Sequence, residues 1–172
     1  DAVLLHTFFT DETLQRVVRT VREEAERVGR DPAAVRIWSC FAVVGDWLPD
    51  DVRLKKTVGR MATYLQGYGD LMVSTNHWDP AVLERFRRDP FVAGFRGAID
   101  NTATTSELEH VATLIPSEWL AAAGLGTPAE CADAVLRQMD LGADSVVIHG
   151  ATPAELAPMV HAYRAIRPAG RF

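Results

Sequence analysis

His6 and His149 are the side chains whose types and spacing most invite chemistry, because they close two copies of one phrase. The hexamer DAVLLH spans Asp1 to His6 and DSVVIH spans Asp144 to His149; each reads acid, spacer, valine, two aliphatics, histidine. A histidine at the C-terminal end of a parallel strand stands where parallel α/β folds build their sites, able to donate to a ring carbonyl or a phosphate, or else to bond a neighbouring carbonyl of its own chain. A metal site from His6, His77 and His149 is not expected, since no ligand pair stands at helical or turn spacing. Ser39 and Cys40 lie in one strand, where alternation sends one to the site and the other toward helices. Cys40 has no neighbouring cation or helix N-terminus in the sequence to activate its thiol. No G-x-S-x-G, Walker loop or G-x-G-x-x-G occurs, so nucleophile-elbow and nucleotide-loop chemistry have no carrier here. Lys55 and Lys56 are the only lysines, and both fall in a predicted helix, which argues against a Schiff-base lyase or aldolase.

The elements that must position these residues follow from periodicity. A strand over residues 2–7 leads to Thr10 as an N-cap. Leu14, Val17, Val18, Val21, Ala25 and Val28 then recur at three- and four-residue steps, the pattern of an amphipathic helix. Gly29 suits a left-handed C-cap, and the apolar run Val35 to Val44 reads as a parallel strand covered on both faces. Near the other end, Thr127, Pro128 and Glu130 form a capping box, and Gly142 stops that helix. ADSVVIH is the next strand, and Thr152, Pro153 and Glu155 start another helix. The tetrapeptide TPAE thus opens two helices, so the doubled hexamers are equivalent strands of a repeating βα architecture. A short further strand is expected near Leu125.

The stretch of about 46–124 breaks this alternation. Residues 52–66 read as a helix, GYGDLMVSTNHWDP is ambiguous between strand and helix, and Asp79 with Pro80 starts a short helix. The run TTSELEHVATLIPSEWLAAAG reads as two helices split at Pro116, with Ser117 as the second cap. Insertions of such length in compact domains are usually functional. The basic run Arg53, Lys55, Lys56, Arg60 reads chiefly as a solvated helix face. Trp119 is expected in the core, while Trp47 and Trp78 suit a pocket roof or a subunit contact.

Composition bounds the rest. A chain of 172 residues, 48% hydrophobic and 24% charged, is long enough for one domain, 1–172, with a real core. A net charge of −5 offers no basic surface for nucleic acid. No apolar run reaches the roughly 20 residues that span a bilayer, so no membrane is expected. Cys40 and Cys131 fit reduced core positions, which points to the cytoplasm. Three secure strands and a short fourth fall below the eight of a closed barrel, which usually needs ~250 residues. The expected fold is therefore α/β, the C-terminal half of a (β/α)8 TIM-type barrel with a mostly helical insertion.

The segments DAVLLHTFFTDETL, VRIWS, VGRMATYLQGYGDLMVSTNHWDP and GTPAECADAVLRQMDLGADSVVIHGATPAELAPMVHAYR resemble the bacterial luciferase-like family. The likeness is greatest to oxidoreductases that use the deazaflavin coenzyme F-420, and it covers the second half of a family member, strands five to eight. The resemblance implies a homodimeric barrel that passes a hydride between F-420, or alternatively FMN, and a small-molecule substrate. In such enzymes the protein supplies orientation and electrostatics. It also implies that Thr7 and Phe8 contact the cofactor ring; with His6, Ser39 and His149 they are the expected cofactor-binding residues, and no catalytic residue is assigned. In the family the loop that holds the cofactor phosphate precedes the strand that begins at Asp1, so tight cofactor binding by 1–172 alone is not expected. The rival expectation is a non-catalytic half-barrel whose open sheet edges pair with a second copy.

Overall fold

The computed structural model describes residues 1–169. Strand β1 (Ala2–Leu4) is shorter than expected. One further bond, from Leu5 N–H to the Trp38 carbonyl at 2.8 Å, prolongs the pairing before the chain turns away. Helix α1 (Asp11–Arg27) starts as expected, with the Thr10 hydroxyl accepting from the Thr13 amide, acids in the first turn and Arg27 in the last. Its apolar stripe places Leu14 against Leu5 and Ile37, with Val17, Val18 and Val21 packed beside them. Gly29 ends it at φ +76, and the Arg30 amide closes back on the Ala25 carbonyl at 2.9 Å.

Strand β2 (Arg36–Gly45) alternates in its first half and is fully buried in its second. The expectation of cover on both faces therefore holds only from Phe41 onward. Ile37, Ser39, Phe41 and Val43 are buried, whereas Arg36 and Trp38 are exposed, Trp38 at 41%. Over the first half of the strand, parity decides which side chains are covered.

The chain divides into two compact units, Leu48–Ala122 and a unit that joins Asp1–Trp47 to the stretch from Ala123 onward. The first is wholly helical. Helix α2 (Asp50–Leu54) runs through a π turn, Lys55–Gly59, into α3 (Arg60–Asn76). The ambiguous GYGDLMVST is thus helix. Leu65, Gly69, Met72, Val73 and Asn76 are buried at helical spacing, and Gly69 leaves room for Leu83, whose Cδ1 would lie 2.7 Å from an added Cβ. Helix α4 (Pro80–Arg88) has Asp79 as its cap. Two short helices, α5 (Pro90–Gly94) and α6 (Ile99–Thr102), have too few turns for a periodic signal. Helix α7 (Thr105–Ala112) carries a Thr104/Glu107 capping box, and α8 (Ser117–Leu120) follows. Ser117 is not the cap. Pro116 occupies that position and no side chain bonds the first turn. Trp119 is buried and stacks on Trp78 at 4.5 Å.

In the other unit, β3 (Gly124–Gly126) leads into α9 (Pro128–Asp140), and β4 (Ser145–His149) into α10 (Pro153–Ile166). Both TPAE sequences form complete capping boxes. All pairings are parallel: β1 with β2 from Ala2↔Arg36, β4 with β2 from Trp38↔Ser145 to Ala42↔His149, and β3 with Val43–Gly45. The architecture is mixed α/β around a small parallel sheet. Phe41, Val43, Cys131, Ala132, Val135 and Met159 form the core between β2, α9 and α10. Among the described residues no helix is long and apolar enough to cross a membrane.

Candidate functional site

The two hexamers flank β2 on the sheet, and their acids bind it differently. The Asp1 carbonyl accepts from the Arg36 amide at 2.9 Å, while its carboxylate accepts from Arg30 at 2.7 Å. Asp144 exchanges backbone and side-chain bonds with Ile37: its amide donates to the Ile37 carbonyl at 2.8 Å and its carboxylate accepts the Ile37 amide at 2.7 Å. Arg22 of α1 adds a 2.8 Å ion pair to the same carboxylate and donates to the Val35 and Pro32 carbonyls. Helix, turn and two strands are thereby joined at the N-terminal edge.

At the opposite, C-terminal edge the histidines end their phrases. His149 is the last residue of β4. Its Nε2 lies 2.6 Å from the hydroxyl of Thr7, a residue only 3% exposed. Either tautomer of the neutral ring serves this bond, because the hydroxyl both donates and accepts. Phe8 is buried and its ring stands nearly perpendicular to the imidazole of His149, with centroids 6.2 Å apart. Its backbone sits at φ +60, a conformation that bulky residues adopt only when the surroundings impose it, at a cost of order 1–3 kcal/mol. The Thr10 cap of α1 and the Thr7–His149 bond bracket Phe8 on either side and hold it there. His6 is half-buried, and its Nδ1–H donates to the Thr7 carbonyl at 3.1 Å.

Four expected site residues, His6, Thr7, Phe8 and His149, thus share the β1–α1 turn and the end of β4. Ser39 does not join them. Its hydroxyl donates to Gln138 Oε1 at 2.8 Å, both residues being buried, so it faces α9. Cys40 has the opposite parity and shares its face with Trp38, Ala42 and His149. Burial pushes its thiol pKa up, away from nucleophilic use. The signal was present in the sequence, since Ser39 has the parity of Ile37, Phe41 and Val43.

His77 ends α3 in the left-handed region at φ 55. Arg53 pairs with Asp50 and Arg60 with Asp100, both within the helical unit. Trp47 covers Gly45 and donates to the Glu155 carbonyl at 2.9 Å, a packing role. Burial drives the Cys131 thiol up to about 11, with Asp46 and Glu130 adding to it. The residues that sequence reasoning missed are Arg22, which ties the N-terminal edge, and Tyr163, Arg164 and Arg167, which line a cavity beside β4. Nothing in their spacing distinguishes them from ordinary helix-surface residues. No family model and no curated protein matches the chain.

Proposed function

We propose that the chain is the C-terminal half of a luciferase-like (β/α)8 barrel that passes a hydride between coenzyme F-420, or FMN, and a small organic substrate. The observation that carries this reading is the corner where Thr7, Phe8 and His149 meet at the C-terminal ends of parallel strands, the end at which barrels of this architecture place their sites. The donor set fits a flat ring rich in carbonyls: an imidazole, a hydroxyl and an aromatic ring stand together, with no acid among them. A bound deazaflavin or FMN would supply the hydride chemistry. The chain's own residues then bind and orient: Thr7 fixes the rotation of the His149 ring, and Phe8 walls the corner against water. His6 is held to the same turn through its Nδ1–H, which donates to the Thr7 carbonyl.

A different observation favours a second reading. Leu4 is 61% and Trp38 41% exposed, side by side in register on one face of the sheet, and exposed apolar patches and unpaired strand edges call for cover. A non-catalytic half-barrel paired with a second copy would supply it. Titration of the chain with F-420 and with FMN, followed by cofactor emission, separates the two. The oxidoreductase reading predicts weak saturable binding that His149→Ala abolishes. No change with either cofactor, together with a light-scattering mass of two chains, would replace it with the second reading.

A further inference from the structure

On the helix side of β4 lies a cavity of about 370 Å³ between α9, α10 and the strand. Its volume is in the range of small-molecule pockets, which are apolar with a few convergent polar groups. The inner wall is formed by Val135, Ile148 and Met159, of which Val135 is 5% and Met159 1% exposed. Toward solvent the lining changes character, to Tyr163 and then Arg164 and Arg167, both exposed. Among the described residues no acidic side chain lines the cavity, in a chain that carries 23 acids against 18 bases. Depth and charge therefore run together: an apolar interior opens onto two guanidiniums.

We propose that this cavity binds an amphiphilic carboxylate as a free monomer, with a medium-length acyl chain against Val135, Ile148 and Met159 and its head at Arg164 and Arg167. Guanidinium forks match carboxylate geometry with paired hydrogen bonds, and an acyl chain replaces water on the apolar wall. A cationic head of equal chain length meets two like charges at the mouth and is rejected. Two of its β4 lining residues, Val146 and Ile148, have the parity opposite to His149, and the third, Ser145, lies at the far end of the strand from it, so this site stands independently of the oxidoreductase reading.

Isothermal titration of the full chain with decanoate below its micelle threshold, beside decanol and decyltrimethylammonium, tests the proposal. The expected result is saturable decanoate binding, at least about tenfold tighter than that of the cation. The Arg164→Glu/Arg167→Glu variant, altered only at exposed positions, should lose about tenfold or more for decanoate and little for decanol. Val160→Trp, which fills the half-buried wall, should remove binding of both, with circular dichroism confirming the fold of each variant. No saturable decanoate binding, equal affinity for the cation, or indifference to the charge reversal would overturn it.

Discussion

The two copies of the hexamer carry one sequence pattern and very different loads. Asp144 holds a buried strand amide and Arg22 at once, whereas the Asp1 carboxylate accepts from Arg30 and is 75% exposed. His149 closes a bond across the sheet to Thr7, 142 residues away in sequence; His6 bonds the backbone of its own neighbour. The register explains the contrast. Five residues of β4 pair with β2 but only three of β1 do, so the later copy is held along its length and its end residues can be aimed. A repeated motif marks equivalent places in a chain, and neighbours decide what each place does.

The contrast is broken most directly at the acids. Asp144→Ala leaves the Ile37 amide and Arg22 without their shared acceptor and is expected to cost about 2 kcal/mol, whereas Asp1→Ala should change stability by less than about 0.5 kcal/mol. Urea denaturation of both variants measures the gap. At the other edge, Thr7→Val removes the partner of His149 Nε2 and is expected to cost about 1–2 kcal/mol. His6→Ala should cost clearly less by the same assay.

The two TPAE turns sharpen the comparison by supplying a case of equality. Glu130 N–H lies 3.3 Å from Thr127 Oγ1, and Glu155 N–H lies the same distance from Thr152 Oγ1. Thr127→Ala and Thr152→Ala should therefore each cost about 1 kcal/mol, read as matching shifts in thermal midpoint. A smaller effect separates the cysteines: with its thiol at about 11 and no exposed surface, Cys131 should resist a disulfide reagent at pH 8 until the chain unfolds, while half-buried Cys40 reacts slowly in the native state.

Acid acts on the caps as well. The Thr127 amide and hydroxyl hold Glu130 below the usual carboxylate range, and Thr104 does the same for Glu107. With the folded pKa values depressed, the unfolded chain takes up these protons first, so the caps contribute fully above the ordinary glutamate value of 4.5. That contribution is lost as pH falls through the lower folded values. A urea midpoint that falls below pH 4.5, with the fall reduced in Thr127→Ala, checks the sign.

Much of this fold is legible in the sequence because its signals are local. Thr10, Thr127 and Thr152 each cap a helix through a bond three residues long, and Gly29 and Gly142 take the positive φ that a helix stop requires. What escaped is set by contacts remote in sequence. Residues 67–76 are helix because Gly69 admits Leu83 and Met72 and Val73 find a core. Ser117 gave up its cap to Pro116, which already has the extended ψ that an N-cap needs. The candidate corner was half legible: strand ends placed His6 and His149, but only the folded chain brings Thr7 to His149 and sends Ser39 to Gln138.

The proposed reading puts the cofactor at the corner of Thr7, Phe8 and His149. The most direct measurement is the imidazole NMR spectrum of the chain during titration with F-420, with His161 on the exposed face of α10 as the internal reference. Under that reading the His149 resonances move saturably, those of His161 stay still, and Thr7→Val weakens the response. Resonances of His149 that do not move at saturating F-420 or FMN, or that move no more than those of His161, would contradict it.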